Sequence, residues 1–154
     1  MSTVISELLN KECVVLGGDF SSSEEVIFAV GQKLMELGFV KDSFVQAAID
    51  REKVLPTGLP LAGGINAAIP HTDIEHVLKP ALGMAILKDP ITFQNMVSPS
   101  ESVSVNLVFL LALDQPKAQV EMLQEVASVL QDPDLVSDLI GQDTIEGVLN
   151  CFGK

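Results

Sequence analysis

The chain has 154 residues, 47% of them hydrophobic, with seven phenylalanines and neither tryptophan nor tyrosine. That length and composition predict one domain, residues 1–154, around a mostly aliphatic core, and exclude a disordered chain. Its longest uninterrupted apolar run, Leu107 to Leu113, falls far short of the roughly 18–20 residues of a membrane span, so no membrane insertion is expected. A net charge of −12, with nine Lys and Arg dispersed among 21 acids, excludes the concentrated positive surface that nucleic acid or an anionic membrane requires. Met1-Ser2-Thr3-Val4 lacks a basic segment followed by an apolar one, which predicts no signal peptide. Cys13 and Cys151 are isolated from each other and form no CxxC, as expected in a reducing cytoplasm, and no spacing supports a metal site.

Cys13 to Leu16 predicts a short buried strand, stopped by Gly17-Gly18. In Ser21-Ser22-Ser23-Glu24-Glu25 a serine followed three residues later by glutamate predicts a capping box. The helix behind it carries Val26, Ile27, Val30, Leu34 and Leu37 on one face and ends at Gly38. A second helix starts at Asp42 or Ser43, passes through Phe44, Ala47 and Ala48 to Lys53, and closes at Pro56. Turn residues from Pro56 to Pro60 and from Ala62 to Gly64 predict a loop; Gly63-Gly64 is too short to cradle phosphate. Ile65 to Ile69 reads as a strand interrupted by Pro70.

Pro80 to Leu87 predicts another strand, Asp89-Pro90 a turn, Ile91 to Val97 a short strand and Ser98-Pro99-Ser100 a loop. Val103 to Leu113 alternates at first and is then continuously apolar, the pattern of a strand covered on both faces. Asp114 is the expected cap of a helix whose Leu123, Val126, Ala127 and Leu130 share a face, and Asp132-Pro133 and Gly141 punctuate two terminal helices. Strands clustered between helices disfavour strict βαβ alternation. They predict an α/β domain with a mixed parallel and antiparallel sheet flanked by helices.

Both histidines lie in one run, Ala68-Ile69-Pro70-His71-Thr72-Asp73-Ile74-Glu75-His76. A helical metal pair needs i, i+4 spacing, whereas these are five apart, about 500° around a helix, and point away from each other. His71, after a proline at a strand end, fits either of two roles: a structural hydrogen bond to backbone, or nucleophilic and carrier chemistry. Acyl transfer would need a partner nucleophile, and no GxSxG is present. Phosphoryl transfer needs only a positioned nitrogen, donors for the phosphoryl oxygens and in-line approach.

With these residues in view, the chain resembles the fructose/mannitol-type Enzyme IIA domains of the bacterial phosphoenolpyruvate-dependent sugar phosphotransferase system. The likeness rests on Asp50-Arg51-Glu52, Pro56-Thr57-Gly58-Leu59, Ala68-Ile69-Pro70-His71, the strand Val103 to Leu113 and the helix Gln115 to Leu130, in that order. The spelling Ile69 to Val77 is most similar to the galactitol-specific branch. The resemblance implies that His71 takes a phosphoryl group on Nε2 from the phosphocarrier HPr. It then passes the group to a cysteine of a IIB partner, which serves a IIC membrane component; no metal or organic cofactor enters. Arg51 would steady the phosphoryl oxygens through its planar fork; from the residues alone it also reads as a solvated helix-face arginine. Mannitol-type members carry a second active-site histidine early in the helix after the long strand, where this chain has Gln119. Gln119 can donate a hydrogen bond to the phosphoryl group but brings no positive charge, so stabilisation would rest more on Arg51, backbone amides, Thr72 and His76. His76 alternatively anchors the segment through Asp73 or a backbone carbonyl. Leu59, Leu61 and Ile74 are candidates for the surface around the histidine, or for core. A regulatory IIA-like protein, switched by His71 phosphorylation, and a binding module that carries no phosphate are the competing functions.

Overall fold

The computed structural model describes residues 3–153; Met1, Ser2 and Lys154 lie outside them, and with them the beginning of the Met1–Val4 segment. In chain order the elements are α1 (Thr3–Leu8), β1 (Leu9–Leu16), α2 (Ser23–Glu36), α3 (Phe44–Val54), β2 (Gly58–Leu59), β3 (Asn66–Ala68), a 3₁₀ turn (Ile74–His76), β4 (Ala81–Gln94), β5 (Ser102–Ala112), α4 (Pro116–Leu130), α5 (Pro133–Ile140) and α6 (Ile145–Cys151). The strands form one sheet in the order β1-β4-β5-β3-β2. β1 on β4 and β3 on β5 are parallel, while β4 on β5 and β2 on β3 are antiparallel. This is the mixed α/β sheet expected.

β5 sits at the centre because its sequence can be buried on both faces. Val105, Val108, Leu110 and Ala112 point into one core with Val26, Ile27, Val30 and Leu34 of α2 and Phe44 and Ala48 of α3. Leu107, Phe109 and Leu111 point into the other, with Ile5 of α1, Met122 and Val126 of α4, Leu139 of α5 and Val148 of α6. Phe109 meets Phe152 edge-to-face, ring centroids 6.5 Å apart, which docks the C-terminal end against the strand. Gly83 lets α2 approach β4 closely, since a Cβ there would collide with the Val30 side chain.

Five local expectations are corrected. Asp89-Pro90 does not turn the chain: β4 runs straight through it, and the ladder to β5 absorbs the proline as a register shift between Ile86 and Ile91. Lys88, Asp89 and Pro90 are all exposed, so the missing N–H costs little there. The loop after Pro56 contains β2, which pairs Gly58 with Ala68 and Leu59 with Ala67. The cap of α4 is Gln115 rather than Asp114, with Pro116 supplying the preset first turn. The strand from Ile65 to Ile69 contracts to Asn66–Ala68. The box before α2 is present in altered form: Ser22 Oγ accepts from the Glu25 N–H at 3.3 Å, and the Glu25 carboxylate reaches Ser21 N at 2.9 Å rather than the cap residue's own amide.

Candidate functional site

The sheet delivers His71 to a crowded corner. β3 ends at Ala68, but alignment with β5 continues, because Leu111 N donates to Pro70 O at 3.0 Å and His71 bridges Leu111. Beyond His71 the chain crosses to the α2–α3 connection, where Lys41 N donates to His76 O at 2.9 Å and Val77 bridges Val40. The last turn of α3 brings Arg51 and Glu52, and the first turn of α4 brings Gln119, to this segment. Lys and Arg in the last turn of α3 also suit its negative dipole end.

His71 is half-buried, and its Nδ1 lies 2.9 Å from Ile69 O. A carbonyl oxygen only accepts, so Nδ1 carries the proton and, in the neutral ring, Nε2 carries the lone pair. Burial pushes the imidazole pKa below its usual value of 6.5; the Ile69 carbonyl opposes this, the Arg51 charge adds to it and Asp73 offsets it. The ring is therefore neutral at physiological pH, as a nucleophile must be.

Arg51 Nη1 donates to Asp73 Oδ1 at 3.3 Å, with about a third of the arginine side chain and most of the aspartate exposed. Such a solvated pair contributes under about 1 kcal/mol. Arg51 Nε is buried without a hydrogen-bond partner among the described residues. A guanidinium with one donor loosely paired and another unpaired retains capacity for an anion beside His71.

Thr72 is buried, and its hydroxyl donates to Asp73 O at 2.9 Å, while its own carbonyl accepts from Gln119 Nε2 at 3.2 Å. Gln119 thus ties α4 to the segment after His71. His76 is carried elsewhere. Its Nδ1 shares a 2.8 Å hydrogen bond with Ser43 Oγ, and its Nε2 lies 4.0 Å from Glu75 Oε1. Ser43 precedes α3 and Arg51 lies in its last turn, about 12 Å apart along a helix axis. His76 anchors through Ser43, while the Asp73 carboxylate, one of its expected partners, belongs to Arg51. Leu59 and Leu61 are half-buried and pack against the core that holds Leu107, Phe109 and Leu111; Ile74 is half-buried in the 3₁₀ turn.

Residue-by-residue reading missed Asp73 as the partner of Arg51, and it assigned no role to Glu52 or Thr57. Glu52 Oε2 accepts from Thr57 N at 2.7 Å and Oε1 from Thr57 Oγ1 at 2.8 Å; Thr57 Oγ1 in turn accepts from Ile69 N at 3.1 Å. Burial pushes the Glu52 carboxyl up to about 7, against the downward pull of both Thr57 bonds. A glutamate and a threonine five apart across a helix end follow no periodic rule. The detectable signal was a carboxylate followed by Pro56-Thr57-Gly58. Cys13 is buried, and burial raises its thiol to about 11, which leaves it unreactive. Among the described residues no three His, Cys, Asp or Glu side chains are grouped to hold a metal ion, and no helix is long and apolar enough to cross a membrane.

The site thus sets a neutral imidazole at a strand end beside a partly free guanidinium. Residues 7–154 match the family model described as phosphoenolpyruvate-dependent sugar phosphotransferase system, EIIA 2. The chain belongs to this family, whose members are phosphotransferases. It is 32% identical over 124 residues to the galactitol-specific EIIA component of Escherichia coli strain K12, covering 80% of this chain and 81% of that one. It is 33% identical over 148 residues to a probable licABCH operon regulator of Bacillus subtilis, covering 95% of this chain but 21% of the regulator. The fold matches the solved complex of the mannitol enzyme IIA with phosphorylated IIB from Escherichia coli, with TM-score 0.74, 23% identity, and 94% and 97% of the two chains covered.

Proposed function

We propose that this chain relays a phosphoryl group through His71, from HPr to the cysteine of a IIB protein, for uptake of galactitol or a related polyol by a IIC component. The observation that carries the reading is the bond from Nδ1 to Ile69 O, which leaves Nε2 as the nucleophile. In the first step the Nε2 lone pair forms a bond to phosphorus, while the bond from phosphorus to the donor imidazole breaks and its electron pair returns to that ring. In the second, a IIB thiolate forms the new bond to phosphorus and the Nε2–P bond breaks, which restores the neutral His71. Arg51 turns from Asp73 toward the phosphoryl oxygens, with charge-assisted bonds worth roughly 1.5–3 kcal/mol each. Thr72 and Gln119 hold the segment in place, and His76 contributes at a distance as an anchor. No step calls for a metal or an organic cofactor. The relay operates on the cytoplasmic side, where HPr and IIB meet it.

Two observations bear on the partner and the sugar. The solved mannitol relative is a complex with phosphorylated IIB, and the galactitol relative matches along most of both chains. The operon-regulator relative favours one competing reading, in which the phosphorylation state of His71 controls a target. Incubation with phosphoenolpyruvate, Enzyme I and HPr tests the relay. Wild type should gain an acid-labile phosphoryl adduct and His71→Ala none. Wild type that stays unlabelled by a competent donor system refutes the reading. Loss of polyol uptake in a deletion strain supports transport; unchanged uptake with altered gene expression supports regulation.

A further inference from the structure

The carbonyl that holds His71 is itself held from two sides. On one side, Ile69 N donates to Thr57 Oγ1 at 3.1 Å, and that hydroxyl donates to Glu52 Oε1 at 2.8 Å. Glu52 Oε2 also accepts from Thr57 N at 2.7 Å, so both carboxylate oxygens grip one threonine. Glu52 and Thr57 are each more than nine-tenths buried. On the other side stands Pro70, whose ring confines Ile69 to extended conformations, and whose carbonyl is fixed by Leu111 N at 3.0 Å. With its N–H pinned and its ψ restricted, Ile69 has one direction for its carbonyl, and His71 Nδ1 lies 2.9 Å along it.

We propose that Glu52 and Thr57 are positioning residues for phosphoryl transfer: they orient Ile69 so that its carbonyl fixes the Nδ1–H tautomer of His71 and aims Nε2 at the donor. The inference rests on the relay reading. The hydroxyl suits the task because it donates and accepts at once, and Glu52, an acceptor only while ionised, dictates which way that hydroxyl proton points. Valine at position 57 keeps the shape but leaves Ile69 N without an acceptor in a buried place, where the chain shifts to find one. Glutamine at 52 offers one acceptor and one donor. Its amide then competes with Ile69 N for the hydroxyl lone pairs, and the grip on Ile69 weakens.

The test combines ¹⁵N NMR of the His71 ring with the rate of transfer from phospho-HPr, in wild type, Thr57→Val, Thr57→Ser and Glu52→Gln, each checked for cooperative unfolding. Wild type should show the Nδ1–H tautomer alone. Thr57→Val should show a mixture and transfer about tenfold more slowly at saturating phospho-HPr, the loss one misdirected hydrogen bond carries. Its KM should stay within about threefold, because the docking surface is untouched. Thr57→Ser, which restores the hydroxyl, should return both readouts to wild type, and Glu52→Gln should fall between. If Thr57→Val does not fold, Glu52→Gln carries the test alone. A folded variant with wild-type tautomer and wild-type rate overturns the inference and leaves the relay intact. Absence of labelling on wild type would refute the relay, while the tautomer spectra would still report whether Glu52 and Thr57 hold the ring.

Discussion

Glu52 should make this protein more stable as the pH falls through neutrality, contrary to most carboxylates. In the unfolded chain it titrates near 4.5; in the folded protein burial moves it to about 7. Above pH 7 both states are ionised, and the folded state bears the full cost of a buried charge. Below 7 the folded state takes up a proton that the unfolded state does not, so stability rises until the unfolded chain also protonates near 4.5. At about 1.4 kcal/mol per unit, the gain between pH 8 and pH 5 is about 2–3 kcal/mol, a large part of a total of roughly 5–15. His71 acts oppositely. Its folded pKa lies below 6.5, so the unfolded chain binds the proton first and stability is lost as pH drops below 6.5. His71 is present in both wild type and Glu52→Gln, so the difference between the two reports chiefly the carboxyl. Urea unfolding of both proteins at pH 8, 7, 6 and 5 should show wild type gaining on the variant by about 2–3 kcal/mol across the series. Parallel stability profiles would refute the claim that burial raises the pKa of this carboxyl.

Three further outcomes follow from the site and its supports. Arg51→Lys should slow transfer from phospho-HPr by about 10- to 100-fold, because an ammonium cannot reproduce the fork. Its melting temperature should move by under about 3 °C, since the half-solvated bond to Asp73 contributes little. His76→Ala should lose about 1 kcal/mol in urea unfolding with the bond to Ser43, and it should accept phosphate within about threefold of wild type; a hundredfold loss would mean His76 reaches the phosphoryl group. Gly58→Ala places a Cβ 2.6 Å from Gln94 O and 3.2 Å from the Phe93 Cβ, where backbone must yield. It should cost about 1–3 kcal/mol by thermal or chemical unfolding.

The parts of the fold legible in the sequence were those whose signal is local and repeated. β5 declared itself because alternation gives way to a continuous apolar run, and α2 because a serine–glutamate cap precedes a stripe from Val26 to Leu34. β2 was hidden in a run of turn residues because two residues carry no period, and their pairing depends on Ala67 and Ala68 coming alongside. Asp89-Pro90 misled because a strong turn signal is overridden when the exposed residues lie on a hairpin whose ladder shifts register at that point. α1 was missed; six residues give too few turns for a pattern.

The site divides in the same way, by how far its information travels along the chain. His71 could be singled out from scarcity and from Pro70 at a strand end, both properties of one nine-residue run. Arg51 could not: flanked by Asp50 and Glu52, it looks like an ordinary charged helix face, and only its resemblance to the family distinguished it. Its partner Asp73 lies 22 residues away, the Ser43 partner of His76 lies 33 away, and Gln119 reaches Thr72 over 47. The path from Glu52 through Thr57 to Ile69 consists of short steps, five residues and then twelve, yet each crosses the end of an element, where helix and strand periods both stop. A candidate nucleophile is legible from its residue type. The geometry that directs one nitrogen of its ring becomes visible only once the sheet, α3 and α4 have converged on it.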